Sequence, residues 1–321
     1  MVRALMVLAM LVLPGLSGAR AQEFPTRPIT ILIGLAAGGV SDTMARLYAD
    51  AISKILGQRV IVENRATGSG AMAAAGLQNG QPDGHTLLIF SGAQHGVVPA
   101  IDKTAIYDPI KGNKPITLLF NTANVLAVPA ASPANSLAEF VAFGKKKADG
   151  VTFGSPGVGS PSHLTGAKII AATGTPAQVV HYRGGPPMLA DLLPGRLDGA
   201  VMSTVLAKPY LLDKRLKGLV VDATERWSVI ADVPTLGELG LRDAAVAGWY
   251  GVAASPGTPP AVVQKLHDAF TTAARDPDLR RRAEENGLTI VTSTPDEMAR
   301  LLAKEVADIS QLVRTLGMVK E

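Results

Sequence analysis

Two glycine-rich turns, each between an apolar run and the start of a helix, constrain the fold of this chain most. The first lies in "ITILIGLAAGGVSDTMARL" (Ile29–Leu47) and the second in "VTFGSPGVGSPSHLTGAK" (Val151–Lys168). An apolar run, a glycine turn and a helix form the repeating unit of α/β proteins. At a helix start four backbone N–H groups lack an intrahelical partner and the helix dipole is positive, so such a turn can bind a carboxylate or a phosphate.

Strand-like and helix-like segments alternate along the chain, which predicts an α/β fold with mostly parallel sheets flanked by helices. The strand-like segments are "ITILI", "RVIVE", "TLLIF", "NVLAV", "VTF", "QVVHY", "GAVMS", "GLVVD" and "WYGVAAS". A mature chain of about 300 residues is longer than one core usually serves, so we expect two lobes. The junctions near Thr122 and Gly248 contain no flexible Ser/Gly tract. Short crossings are therefore expected between lobe 1 (residues 22–122 and 249–321) and lobe 2 (residues 123–248).

The N-terminus indicates export. Arg3 precedes an apolar stretch of 13 residues, Ala4–Leu16, and Ala19-Arg20-Ala21 then supplies a small–x–small cleavage pattern. A membrane-spanning helix needs about 20 apolar residues, so this stretch is too short to be one. We therefore expect residues 1–21 to be a signal peptide and the periplasmic chain to begin at or near Gln22.

Composition excludes several classes of protein. The chain has no cysteine, which rules out thiol catalysis, zinc–thiolate sites and iron–sulfur clusters. The signal peptide contains two of the 31 basic residues, so 29 basic residues remain against 27 acidic ones. The run Lys145–Lys147 has no interleaved aromatic residues and is typical of a solvated helix end. No nucleic-acid partner is expected.

Enzyme motifs are incomplete in this sequence. It has no Gly-x-Ser-x-Gly elbow, no P-loop and no His-Glu-x-x-His, and its five histidines lack metal-ligand spacing. Gly68–Ala73 matches Gly-x-Gly-x-x-Ala, but the acidic residue that a dinucleotide site needs about 20 positions later is missing. Ser160 and His163 could interact, yet an orienting acid and an oxyanion hole are not evident. We expect no enzyme, cofactor or metal, and a secreted hydrolase using Ser160 and His163 is the alternative.

Three turns at strand ends carry the candidate binding residues, since ligands of open α/β sheets bind beyond the carboxyl ends of strands. The first turn continues into the cap-forming residues Ser41, Asp42 and Thr43. The second contains Gly154, Gly157, Gly159, Ser160, Ser162 and His163, and the third places Tyr182 and Arg183 before two glycines. Three such turns without a catalytic constellation favour an anion-binding protein.

The whole mature chain resembles the periplasmic solute-binding proteins of tripartite tricarboxylate transporters, the Bug family. The resemblance begins at "FPTRPITILIGLAAGGVSDTMAR". It continues through "VIVENRATGSGAMAAAGLQNGQPDGHTLL", "YDPIKGNKPITLL", "FGSPGVGSPSHLTG", "VVHYRGGPPMLADLLPGRLDGAVMS", "DVPTLGELG" and "WYGVAASPGTPP". It implies two α/β lobes, with the architecture of periplasmic binding proteins, that close on a carboxylate in the cleft between them. Main-chain amides, hydroxyls and water would hold the ligand.

The resemblance also assigns ligand-binding residues. The first loop corresponds to Gly38, Gly39, Ser41, Asp42 and Thr43, the second to Gly157, Gly159, Ser160 and His163, and the family's Tyr-Lys/Arg-Gly to Tyr182 and Arg183. Ser91, Ala93 and Ser203 are assigned to the pocket wall by position alone. We expect Asp42 to cap its helix, because its carboxylate would repel an anion.

Departures from the family pattern concern the ligand more than the fold. Gly34 and Leu35 stand where relatives commonly have proline and an aromatic residue, and His85 replaces a usual tyrosine. The resemblance implies a monomeric receptor that delivers its ligand to the subunits of a membrane transporter. A ligand-sensing subunit that docks on a signalling protein is a further alternative.

Overall fold

A computed structural model describes residues 24–67, 70–101, 106–223, 225–246, 248–285 and 287–315. The expected signal peptide, Gln22, Gly68 and Ser69 lie outside these residues. The strands are β1 Ile29–Ile33, β2 Val60–Asn64, β3 Thr86–Ser91, β4 Lys114–Thr122, β5 Asn124–Pro129, β6 Val151–Ser155, β7 Ala177–His181, β8 Gly199–Ser203, β9 Leu216–Asp222, β10 Gly248–Ala254 and β11 Leu288–Ile290. The helices are α1 Val40–Leu56, α2 Ala71–Gln78, α3 Gly92–Ile101, α4 Leu137–Lys146, α5 Pro161–Thr173, α6 Gly185–Leu192, α7 Thr204–Leu212, α8 Pro260–Ala273, α9 Pro277–Glu284 and α10 Pro295–Thr315.

Helix α1 shows how local sequence sets these elements. Met44, Tyr48 and Ile52 recur at helical spacing and form a fully buried stripe. The helix ends at Gly57, whose φ of +64° is the left-handed conformation that glycine adopts without strain. Packing of one apolar face and a glycine C-cap thus fix the length of the helix that begins at the first glycine turn.

The first sheet has six strands in the order β11-β4-β10-β3-β1-β2. Strand β1 pairs in parallel with β2 and β3, whereas β10 is antiparallel to β3 and β4, and β11 is antiparallel to β4. Helices α1, α8 and α9 pack on one face, and α2, α3 and α10 pack on the other. Strands from both ends of the chain therefore build this lobe.

The second sheet has five strands in the order β7-β6-β8-β5-β9. Strand β6 is parallel to β7 and β8, and β5 is antiparallel to β8 and β9. One core lies between the sheet and helices α4 and α5, and the other lies between the sheet and helices α6 and α7. This lobe is formed by one continuous stretch of chain.

The lobes are joined by a short connection and by a shared apolar cluster. Ala123 alone separates β4 of the first sheet from β5 of the second. Val97 of α3, Leu164 of α5 and Val313 of α10 belong to one buried apolar cluster that spans the two lobes. Within the described residues, no helix is long and apolar enough to cross a membrane.

The α/β class and the two flanked sheets agree with the sequence prediction. Each sheet is mixed, however, and not mostly parallel. The reason is that β10 and β5, which enter their sheets next to parallel strands, run antiparallel to their neighbours. The alternating order of strands and helices predicted the parallel pairs but carried no information on the direction of these two strands.

Candidate functional site

Four of the described helices begin at one cavity between the lobes. Their N-caps are Gly39 of α1, Ser160 of α5, Gly184 of α6 and Ser203 of α7, and all four line the cavity. The first belongs to lobe 1 and the other three to lobe 2. Because each N-terminus carries roughly half a positive charge, their convergence creates a positive potential without a charged side chain.

The cavity is small and its wall is neutral. Its volume is about 30 Å³, which is room for about two water molecules. The lining residues are Leu35, Ala36, Gly39, Val40, Thr122, Asn124, Pro156, Ser160, Ser162, Gly184, Gly185, Met202, Ser203, Leu206 and Tyr250. None of these described residues is charged, so hydroxyls, amides and backbone groups are left to contact a ligand.

In the first loop, the Asp42 carboxylate accepts hydrogen bonds from neighbouring groups of the protein. It accepts the Gly38 N–H at 2.9 Å and a two-pronged contact from Arg46. Burial alone would raise the pKa of Asp42, but the hydrogen bonds from Arg46 and Gly38 outweigh burial and lower it. Gly38 needs the freedom of glycine here because its φ is +81°. Asp42 thus fixes the turn and the start of α1.

The remaining polar residues of this loop lie at the first turn of α1. Ser41 is buried, and its Oγ has no hydrogen-bond partner among the described residues. The Thr43 N–H donates to the carbonyl of Gly39, which is the first intrahelical bond of α1. Of the five residues predicted in this loop, Gly39 is the one that lines the cavity.

In the second loop, Ser160 and His163 form a cap and not a catalytic pair. Ser160 Oγ accepts the His163 backbone N–H at 3.1 Å, while His163 Nδ1 accepts the Gly159 N–H at 3.0 Å. Burial lowers the pKa of His163 to about 4, so the ring is neutral near pH 7. Since the ring bonds to Gly159, it does not act as a base toward Ser160 Oγ.

The glycines of this loop allow a close approach between the lobes. Gly159 has a φ of +77°, and a Cβ built on it would lie 2.4 Å from Cβ of Val97 in lobe 1. Gly157 lies beside Leu35 of lobe 1. Ser160 lines the cavity, whereas Gly157, Gly159 and His163 do not.

The third turn contributes its backbone. The Arg183 carbonyl accepts the Ala36 N–H at 3.2 Å, which joins the two lobes. The Tyr182 hydroxyl donates to Asp191 at 2.7 Å on the outer side of lobe 2, and the Arg183 side chain is exposed. The next residue, Gly184, lines the cavity instead of either predicted side chain.

The three residues assigned by position separate in the structure. Ser203 lines the cavity and caps α7, where its Oγ accepts the Leu206 N–H at 3.4 Å. Ser91 ends β3 opposite Tyr250 of β10. Ala93 lies in the apolar cluster that includes Val97.

The prediction missed several lining residues because their signals were weak in sequence. Tyr250, Met202 and Leu206 belong to apolar segments that are typical of core. Asn124 and Thr122 lie at the crossing between the sheets, which sequence located but did not connect with a ligand. Ser162 was named as part of the second turn, but the resemblance did not assign it to the ligand.

Tyr250 adds a phenol hydroxyl to the residues that line the cavity. Its ring stacks on Phe120 with the centroids 4.7 Å apart. Its hydroxyl has no hydrogen-bond partner among the described residues, and burial raises its pKa far above the usual value. The phenol is therefore protonated at neutral pH and can donate.

A series of hydrogen bonds runs from the cavity to the buried carboxylate of Asp222. Ser162 Oγ donates to Asn124 Oδ1 at 2.6 Å, and Asn124 Nδ2 donates to Asp222 Oδ2 at 3.3 Å. Thr165 Oγ and the Val246 N–H donate to the same carboxylate oxygen at 2.7 and 3.4 Å. Burial raises the pKa of Asp222, although these hydrogen bonds and nearby Lys168 oppose the increase.

A larger cavity, of about 730 Å³, lies on the other side of the crossing between the sheets. Thr122 borders both cavities, and Asp222 and Arg242 are the charged residues that line the larger one. No predicted site residue lines it. Despite its greater volume, it lacks the convergence of helix N-termini, so the smaller cavity is the better candidate for a ligand site. No cluster of metal-ligating side chains occurs within the described residues.

Comparison with known proteins places this chain in a family. The family model described as "Tripartite tricarboxylate transporter family receptor" matches residues 44–318. The chain belongs to this receptor family. It is 33% identical over 302 residues to a UPF0065 protein from the TAR-I ttuE-ttuC' intergenic region of Agrobacterium vitis, an alignment that covers 93% of this chain and 86% of that protein.

Solved structures of similar proteins share the fold. The periplasmic binding protein BugD superposes with a TM-score of 0.88 at 27% identity, with 93% of this chain and 100% of that chain covered. MatC from Rhodopseudomonas palustris, solved with bound malate, gives a TM-score of 0.85 at 31% identity, with 90% and 100% covered. The resemblance to the Bug family and the two-lobed receptor fold are thereby confirmed. The family consists of receptors and not enzymes, so the hydrolase alternative is not supported.

Proposed function

We propose that this member of the receptor family binds a small organic carboxylate in the cavity between its lobes and presents it to a membrane transporter. The observation that carries the proposal is the convergence of four helix N-termini, those of α1, α5, α6 and α7, on one neutral cavity. Helix N-termini stabilise anions through free N–H groups and through the dipole. The malate bound to MatC supports a carboxylate over a phosphate.

Hydroxyl groups supply the remaining donors. Ser160, Ser203 and Tyr250 line the cavity, and none of their hydroxyl protons has an acceptor among the described residues. Hydrogen bonds to a charged group contribute about 1.5–3 kcal/mol each. Micromolar affinity needs about 8 kcal/mol net, so donors from both lobes are required, and we propose that residues 22–122 with 249–321 close against residues 123–248.

Titration calorimetry with malate, succinate, citrate and inorganic phosphate tests the proposal. Saturable binding of at least one carboxylate, with phosphate weaker, is the expected result. At about 100-fold excess over the dissociation constant, the ligand should add about 2.7 kcal/mol to the free energy of unfolding. Binding of phosphate alone, or turnover of the carboxylate, would contradict the proposal.

We further propose that the protein is exported and that it delivers its ligand to a permease. If the partner is a permease, deletion of the receptor gene should abolish uptake of the carboxylate by intact cells, although the membrane subunits are still present. A role in signalling would leave uptake unchanged. If residues 1–21 direct export, protein recovered from the periplasm should begin at or near Gln22, which N-terminal sequencing checks. We also expect a monomer, which sedimentation checks.

A further inference from the structure

The serines of the cavity differ in the direction of their hydrogen bonds. Ser160 Oγ accepts the His163 N–H and Ser203 Oγ accepts the Leu206 N–H. A serine hydroxyl has one proton and two lone pairs. Because both oxygens already serve as acceptors, their protons are left to donate into the cavity. This combination suits a carboxylate.

Ser162 has the opposite arrangement. Its Oγ–H is used within the protein, since it donates to Asn124 Oδ1 at 2.6 Å. Ser162 can therefore offer only lone pairs to a ligand. Thr122 behaves in the same way, because its Oγ–H donates to the carbonyl of Ala123. The part of the cavity next to the crossing between the sheets thus accepts hydrogen bonds, whereas the helix N-termini donate them.

Asp222 determines this direction. An ionised carboxylate only accepts hydrogen bonds, so the neighbouring Asn124 must turn its amide N–H₂ toward Asp222 and its carbonyl oxygen toward Ser162. Thr165 Oγ and the Val246 N–H also donate to Asp222 Oδ2, so this oxygen is an acceptor toward all of its neighbours. The direction of the hydrogen bonds, from Ser162 to Asn124 and from Asn124 to Asp222, follows from the acceptor role of the Asp222 carboxylate.

Building on the proposed function, we propose that the ligand is a carboxylate that also carries a hydroxyl group, and that Ser162 Oγ accepts the proton of this hydroxyl. A buried acceptor left without a donor costs about 1–3 kcal/mol, so a ligand without the hydroxyl binds less well in the closed cavity. An ammonium group has the same donor chemistry. It would, however, bring a charge to a cavity whose described lining contains no free carboxylate, and burial of an unpaired charge is costly.

The test compares carboxylates that differ by one hydroxyl: malate with succinate, 3-hydroxybutyrate with butyrate, and citrate with tricarballylate. Aspartate serves as the ammonium probe. Calorimetry should give at least tenfold tighter binding of the hydroxylated member in the pair of highest affinity, and weaker binding of aspartate than of malate. If aspartate binds most tightly, the ligand group that donates to Ser162 Oγ is an ammonium group, and the proposal of a ligand hydroxyl is overturned.

Two variants assign the preference to residues. Ser162→Ala should reduce the ratio of the two dissociation constants to about threefold or less, mainly by weakening the hydroxylated member, while Ser162→Thr should retain the preference. Asp222→Asn no longer forces the hydrogen bonds to run from Ser162 to Asn124 to residue 222. It should therefore also reduce the ratio of the two dissociation constants. The matched control is Asp198→Asn in the same lobe, where the carboxylate accepts hydrogen bonds from Thr152 and Lys147 away from the cavity, and the ratio should not change.

The outcomes separate this inference from the proposed function. Tight binding of a carboxylate with equal affinity for its deoxy analogue would overturn the hydroxyl preference and leave the receptor function intact. A preference that survives Ser162→Ala would overturn the role of Ser162, and one that survives Asp222→Asn would overturn the role of Asp222. Failure of every carboxylate to bind would overturn both proposals.

Discussion

The backbone N–H of Ala36 in lobe 1 donates to the carbonyl of Arg183 in lobe 2 at 3.2 Å. This hydrogen bond lies next to the cavity, since Ala36 and Gly184 both line it. A Cβ on Gly184 would lie 2.9 Å from Cβ of Ala36, so the two loops touch here. The two lobes therefore meet at these loops, beside a cavity of about 30 Å³.

Closure of the lobes gives the first prediction. A dicarboxylate needs more room than about two water molecules, so the loops must move apart to admit a ligand and then contact it from both sides at a wider spacing. A ligand that contacts both lobes favours the closed state by its differential affinity. Small-angle scattering should show a smaller radius of gyration with saturating ligand than without it. A radius that does not change while calorimetry shows saturation would refute lobe closure on binding.

A substitution at the N-cap of α1 gives the second prediction. Gly39 has an ordinary φ of −82°, and a Cβ there would approach nothing closer than 3.6 Å. Gly39→Val should therefore keep the fold and reduce carboxylate affinity at least tenfold, because its side chain prevents close approach of a ligand to the backbone N–H groups. Calorimetry and circular dichroism together check this.

The matched control for Gly39→Val is Ala172→Val, on the exposed side of α5. It adds a branched side chain to the other lobe without contact with the cavity. Gly159→Val is unsuitable, since it would clash with Val97. Equal affinity of Gly39→Val and wild type would show that this turn is only a connection.

The sequence located the turns of the site better than its side chains. Glycine turns after β1 and β6 were recognisable, and the N-caps that follow them, Gly39 and Ser160, do line the cavity. Tyr182 was assigned from the third turn and from the resemblance, yet its hydroxyl bonds to Asp191 and does not line the cavity. Whether Tyr182 or the other assigned side chains bind a ligand stays a prediction.

Contacts between distant segments could not be predicted. Tyr250 reaches the cavity because β10 returns to the first sheet between β3 and β4, and local sequence does not specify this pairing. The connection from Ser162 through Asn124 to Asp222 joins three elements that are far apart in the chain. Periodicity and turn chemistry act over a few residues, so they carry no information on such contacts.

The Tyr250 hydroxyl provides the third prediction. Tyr250→Phe removes one neutral donor from the cavity while the ring still stacks on Phe120. Carboxylate affinity should fall about tenfold, with little change in the free energy of unfolding because the hydroxyl has no partner among the described residues. Tyr210→Phe, on α7 and away from the cavity, is the control. A fall in stability without a fall in affinity would assign Tyr250 to the core alone.

Buried histidines give the last prediction, a loss of stability in mild acid. Burial lowers the pKa of both His163 and His95 to about 4, whereas a histidine in the unfolded chain has a pKa of about 6.5. Between these two values the unfolded state binds more protons, so the free energy of unfolding decreases as the pH falls through 6.5. At pH 5 each histidine should cost about 2 kcal/mol relative to pH 7.

His163→Asn measures how much His163 contributes to the loss of unfolding free energy between pH 7 and pH 5. The variant should keep the fold, because an amide oxygen can replace Nδ1 as the acceptor of the Gly159 N–H. Urea denaturation at pH 7 and pH 5 should show a smaller difference in this variant than in the wild type, by about 2 kcal/mol. An unchanged difference in His163→Asn would mean that His163 titrates normally in the folded protein, and that burial does not hold its ring neutral.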